Sequence, residues 1–172
     1  MAEKTAFEEV YEQNFKYVYN VVYMRVMHKE TAEDITGDVF VKAWKNYERY
    51  DPEIASVLTW LCAIAVNEVK MYARKASTSR EFASEELPET STEDEAEVNT
   101  SAMAINREAD RILRQLEDKD RELLSLRLAA ELSFAEIAEI LGTSQKAATE
   151  RYRRLIIRCR KLTEGRSMAD FT

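Results

Sequence analysis

The chain of 172 residues is short of the residues that break helices: it has three glycines and two prolines. That leaves little of the chemistry that tight turns demand. With its many Ala, Glu, Leu and Arg residues, the composition favours an all-helical protein. Cysteine is equally scarce. Cys62 and Cys159 lie far apart in sequence, and each falls on an apolar helical face. Two buried free thiols are expected rather than a disulfide, as suits a reducing cytoplasm. The one histidine, His28, cannot build a metal site with cysteines so scattered, and is expected to be exposed at a helix end. No apolar run is long enough to cross a bilayer, and no secretory signal opens the chain. There is no phosphate-binding glycine loop, metal cluster or nucleophile constellation, so no catalytic residue, metal or cofactor is expected.

The formal net charge of −7 argues at first against a nucleic-acid partner. Its distribution reverses that argument. Residues 1–75 carry 10 basic and 12 acidic side chains, residues 76–106 carry 1 and 8, and residues 107–172 carry 14 and 12. The net −7 of the middle segment equals that of the whole chain. Within Ser144–Arg166 there are 8 basic and 2 acidic residues, a local positive field that the overall isoelectric point conceals.

That basic stretch ends the segment around which the chain is organised, SFAEIAEILGTSQKAATERYRRLIIRCR, residues 133–160. Ser133 and Glu136 have the spacing of a capping box. Ile137, Ala138, Ile140 and Leu141 supply the buried stripe of a short helix. Gly142 ends it, because glycine enters the left-handed conformation without steric cost. Ser144 caps a second helix, whose apolar face is Ala148, Tyr152, Leu155, Cys159 and Leu162. Gln145, Lys146, Thr149, Glu150 and Arg153 lie opposite. Small residues at Ala138 and Gly142 are expected to let the helices cross closely. The pattern is a helix-turn-helix.

Upstream, Thr5–Met27 has helical spacing in Phe7, Val10, Tyr11, Val18, Val21 and Val22, interrupted by Asn14. Thr31, with Asp34 completing a box, is expected to cap a second helix. Its inner face is Ile35, Val39, Ala43 and Tyr47, helped by Phe40 and Trp44. Asp51-Pro52 breaks the pattern. A third helix begins near Ile54 or Ser56 and runs to Lys75 on Leu58, Leu61, Cys62, Ala65 and Val69. Residues 76–103 read as a flexible acidic linker, kept extended by like-charge repulsion. Helices return over 102–116 and again before Ser133, and residues 166–172 read as a loose tail. The expected fold is all-α. A three-helix bundle over 1–75 is joined by the acidic linker to a helix-turn-helix domain over 104–165.

Two blocks together carry a family resemblance. TAEDITGDVFVKAWKNYERYD followed by TWLCAIAVNEVKMYARK resembles the second conserved region of bacterial sigma factors. ILRQLEDKDRELLSLRLAAELSFAEIAEILGTSQKAATERYRRLIIRCRKL resembles the fourth region. Their order and spacing resemble those of the small extracytoplasmic-function group. The resemblance implies a non-catalytic initiation subunit of RNA polymerase that selects promoters and helps to open them. It implies that Asp34, Asp38, Phe40, Lys42 and Trp44 dock on core polymerase. It implies that Asn67, Lys70, Arg74 and Lys75 face the minus-ten element, and that the helix-turn-helix reads the minus-thirty-five element. An anti-sigma partner is implied as well.

The side-chain chemistry fits these roles. Tyr47, Tyr50 and Trp60 are candidates to stack on unpaired bases, although Trp60 suits a core position equally. Arg151, Arg154 and Arg158 are candidates for phosphates; Ser144, Gln145, Lys146, Thr149 and Arg153 complete the minus-thirty-five set. Two departures from the family pattern bear on promoter preference. Met71 stands where an acidic residue is usual, and Thr149 where many members are basic. Glu150 beside it could accept from a cytosine amino group or repel phosphate. A plain helix-turn-helix repressor or activator with a helical sensing domain would leave the second helix and the acidic linker unused. A helical adaptor would treat the basic helix as a solvated face.

Overall fold

The computed structural model describes the backbone of residues 5–82 and 100–164, and side chains at 5–79 and 107–164. Among the described residues there are seven α-helices and no strand. Helices α1 (Phe7–Val26), α2 (Lys29–Asn46) and α3 (Val57–Phe82) form an N-terminal bundle. Helices α4 (Thr100–Gln115), α5 (Asp118–Leu128), α6 (Phe134–Leu141) and α7 (Gln145–Thr163) make up the C-terminal half.

The helix ends follow from local chemistry, with one shift from expectation. α1 stops at Met27, which turns into the left-handed region at φ 56° and donates its amide to Tyr23 O. That turn leaves His28 extended, so His28 rather than Thr31 caps α2: its Nδ1 accepts from the Thr31 amide at 3.3 Å. Thr31 therefore sits inside the first turn, and Asp34 has no box to complete. His28 is a half-buried cap, not merely an exposed residue. A 3-10 turn at Tyr47–Arg49 ends α2, and Asp51 Oδ1 accepts from the Glu53 amide. Ser56 Oγ then accepts from the Thr59 amide at the start of α3.

α3 continues through residues 76–82, where a linker was expected to begin. Extending an established helix costs little per residue, and Thr78 returns its hydroxyl to Arg74 O. The rest of the expected linker up to residue 99, and the tail at 166–172, lie outside the described residues.

Two cores hold the molecule, and they share helices. Val10, Val18, Val22, Ile35, Val39, Phe40, Ala43, Leu61, Ala65 and Val69 close the three-helix bundle. Asn14, the polar interruption, is buried with its amide donating to Val10 O at 2.8 Å. The second core gathers Leu113, Leu116, Leu123, Leu126, Ile137, Ala148, Leu155 and Leu162 from α4–α7, and also Val21, Cys62 and Val66 from α1 and α3. Val21 and Val22 are neighbours in sequence, yet they point into different cores. α5 lies along α1, and α6 touches α3.

Polar ties cross the same contact. Arg25 is 5 % exposed; it makes a forked pair with Asp118 at 3.0–3.2 Å and reaches Glu122 at 3.6 Å. Thr59 donates to Glu136 at 3.0 Å. Burial leaves Cys62 a thiol, pushed up to about 12. Cys62 and Cys159 are both free.

Candidate nucleic-acid interface

The helix-turn-helix is built as its sequence dictates. Ser133 Oγ accepts from the Glu136 amide at 3.2 Å, and Glu136 accepts from the Ser133 amide at 2.8 Å, completing the box. The Ser133 amide, with help from Ser133 and Thr59 hydroxyls, holds the Glu136 carboxyl below its ordinary range against the opposing effect of desolvation. Gly142 adopts φ 66°, and both its amide and that of Thr143 donate to Ala138 O. A Cβ built on Gly142 would meet nothing within 4 Å. Glycine is there for its backbone conformation, then, and not for the close helix crossing expected of it. Ser144 Oγ accepts from the Ala147 amide and opens α7.

α7 buries Ala148, Leu155 and Leu162 and presents Gln145, Lys146, Thr149, Arg153 and Arg154 to solvent. Gln145, Lys146, Thr149 and Glu150 together line a shallow concavity at its start. Thr149 returns its hydroxyl to Gln145 O at 2.8 Å.

The arginines of α7 fall into two classes. Arg151 and Arg158 both close on Asp120 of α5, at 2.8 and 2.9 Å, and the Asp120 side chain is 3 % exposed. The expectation that they hold phosphates is corrected in part. Their guanidinium groups are committed to fastening α7 onto α5, because a buried carboxylate needs that compensation. Arg153 and Arg154, at the surface, both close on Glu150. Arg153, ahead of the opposing desolvation, and then Arg154 push the Glu150 carboxyl down to about 2.

In the bundle, Tyr47, Tyr50 and Trp60 form one aromatic cluster. Tyr47 and Tyr50 stack at 5.8 Å, and Trp60 lies 4.9 Å from Tyr50. Tyr50 and Trp60, with Lys42, Asn46, Asn67, Glu68 and Met71, border a concavity of about 400 Å³ between α2 and α3. Tyr50 is buried, covered by the other two rings, with its hydroxyl on Ala55 O. It therefore serves as the floor of the cluster and not as a free stacking surface. Trp60 is half-buried, part packing and part rim. Lys42 pairs with Glu68 and places Nζ 3.7 Å from the Met71 sulfur. Asn67, Lys70, Arg74 and Lys75 are all exposed on α3, and Lys70 also faces Glu122 of α5 at 3.6 Å.

On α2, Asp34, Asp38, Lys42 and Trp44 are exposed, Trp44 at 64 %. Phe40 corrects an expectation: it is 4 % exposed beneath Tyr11 and Phe15, and so it packs the bundle and cannot dock on a partner. The sequence reading missed Val41, 51 % exposed. Its spacing of three from Trp44, off the Ile35–Val39–Ala43 stripe, was the available signal. Asp120 was also missed, hidden among the acidic residues of a helix start.

Two family profiles match the chain: Sigma-70 region 2 over residues 10–78 and Sigma-70, region 4, over residues 106–159. RNA polymerase sigma factor YlaC of Bacillus subtilis is 31% identical over 169 residues, spanning 96% of this chain and 97% of that one. ECF RNA polymerase sigma factor BldN of Streptomyces coelicolor is 30% identical over 150 residues, 84% of this chain and 55% of its own. In fold, the chain is similar to the sigma factor RpoE of Bartonella quintana, solved with the anti-sigma factor NepR, at a TM-score of 0.78 and 20% identity over 92% of this chain and 96% of that one. It is also similar to CnrH, solved with the cytosolic domain of CnrY, at 0.69 and 20% identity over 94% and 89%.

Proposed function

Because the chain belongs to the sigma-70 family, as an RNA polymerase sigma factor of the extracytoplasmic-function type, we propose the following division of labour among its residues. The exposed face of α2, with Asp34, Asp38, Lys42 and Trp44 joined by Val41, docks on core polymerase. An apolar pair ringed by charge has the make-up of a small protein interface. The concavity beside Trp60 and Tyr47, with Asn67, takes minus-ten bases once they unstack, and Arg74 and Lys75 hold the adjoining phosphates. α7 enters the major groove at the minus-thirty-five element, led by Gln145, Lys146 and Thr149, with Arg153 and Arg154 placed to meet the adjoining phosphates.

The observation that carries this reading is the two-faced α7. It is apolar against its own domain, and at its N-terminal end it is polar and solvent-facing, where recognition helices meet base edges. We assign the halves as region 2 over 1–75 and region 4 over 104–165, acting in the cytoplasm, with no catalytic step of the chain's own. An anti-sigma protein is the expected brake, since the structural neighbour RpoE above was solved with one. A plain helix-turn-helix repressor is not favoured: it gives no role to the region 2 match over residues 10–78.

Transcription from genomic fragments with sigma-free core polymerase tests the reading. Added chain should yield transcripts from discrete starts. The absence of any discrete start that depends on the chain would overturn it.

A further inference from the structure

Of the four arginines on α7 that face a carboxylate, two are fixed and two are releasable. Asp120 is buried, so the Arg151 and Arg158 pairs are part of the fold. Glu150 is different. Its Oε1 and Oε2 take a fork from Arg153 at 2.9 and 3.1 Å, and Oε1 also takes Arg154 Nε at 3.0 Å. The three side chains are 42, 60 and 70 % exposed, and exposed ion pairs of this kind hold weakly. Glu150 sits beside Gln145, Lys146 and Thr149, and the two arginines follow about one turn further along α7.

We propose that Glu150 is a specificity-determining residue of α7: it withholds Arg153 and Arg154 from phosphates at large, and releases them where a base edge with an exocyclic amino group takes over its carboxylate. The proposal rests on the reading of α7 as the minus-thirty-five reader. An arginine that leaves for a phosphate strips Glu150 of its donors, and the bare carboxylate then faces the groove. Cytosine N4 and adenine N6 present amino donors there, whereas guanine O6 and thymine O4 present acceptors that repel it. On arbitrary DNA the release therefore leaves a carboxylate uncompensated, and the arginines stay on Glu150. On a site with an amino group at the right step, the same exchange leaves every group paired. The residue thus subtracts affinity from wrong sequences as much as it adds any to the right one.

Glu150→Ala in the full chain tests this, because a methyl group neither holds two guanidinium groups nor reads a base edge. The first arm measures binding of the chain alone to a random-sequence 30-bp duplex by fluorescence anisotropy across salt. The variant should bind about 10-fold tighter at low salt. Its log–log salt slope should steepen by about 1.8, for two added phosphate contacts at about 0.9 each. The second arm uses core polymerase and a promoter mapped with the wild-type chain, with C, A, G and T placed in turn at each upstream step. Wild type should prefer C or A over G or T by about 10-fold at one step, and the variant should lose that preference. The separate C and A templates show which base is meant. Unchanged affinity on the random duplex, or an amino-over-keto preference that survives in the variant, overturns the proposal. A wild-type chain with no base preference anywhere upstream would instead overturn the reading of α7. Circular dichroism of the variant should match wild type, since Glu150 is outside both cores.

Discussion

Lys70 of α3 and Glu122 of α5 stand 3.6 Å apart, so a cation expected on minus-ten DNA faces a carboxylate from the other half of the same chain. Glu122 is 6 % exposed and also serves Arg25 at 3.6 Å. DNA that recruits Lys70 must therefore draw it off Glu122, and α5 is then held to the bundle by one pair fewer.

Replacing Glu122 with Gln should loosen that contact. Arg25 keeps Asp118, so the cost is that of a buried hydrogen-bonding group poorly satisfied, roughly 1–3 kcal/mol. Small-angle scattering should report a radius of gyration above the wild-type value. An unchanged radius would show that the apolar contact alone keeps the halves together.

Asp120→Asn removes the carboxylate shared by Arg151 and Arg158. Both arginines reach solvent, at 42 and 29 % side-chain exposure, so they can rehydrate. The loss should fall near 1–3 kcal/mol, short of the 3–5 kcal/mol typical when a fully buried charge is stranded. The urea midpoint of the full chain reads it directly. A midpoint equal to wild type would mean that α7 needs no electrostatic fastening.

The Glu136 carboxyl predicts an acid response. Its folded-state pKa lies below the ordinary value, chiefly because of the Ser133 amide. Its contribution is therefore present above the ordinary carboxylate range, and is lost as pH falls through that range and below. Between pH 6 and pH 3 the melting temperature of Glu136→Gln should fall less steeply than that of wild type. Parallel curves would remove Glu136 from the acid response.

Trp44→Ala should weaken core polymerase binding at least 10-fold, as expected for an exposed aromatic anchor, while leaving helix content intact. Val41→Ala should do so to a smaller degree. If ellipticity falls before binding does, these side chains serve the fold.

What could be read from the sequence was local. Ser133 with Glu136, Gly142 and Ser144 announced their turn because caps and a left-handed residue act within four positions. The stripe Ala148–Leu155–Leu162 followed from helical period. The sequence could not show which inward-spaced aromatic stays uncovered: Phe40 sank under Tyr11 while Trp44 stayed in solvent. Nor could it show that Arg151 and Arg158 belong to Asp120, because 31 and 38 residues separate the partners and folding alone brings them together. The amphipathic faces of α1 and α3 seemed complete with one bundle. Val21 and Cys62 stood within those stripes and Val66 beside one, and the three disclosed their second core only once α5 was in place.

Val21 and Val22, one peptide bond apart and facing opposite interiors, tie the two halves thermodynamically. α1 cannot fray without disturbing both cores, so in this arrangement the halves should melt in a single transition. A partner that binds one half only when it is parted from the other draws on a minor population. Its apparent affinity is then scaled down by that population, and whatever releases one half makes the other easier to bind.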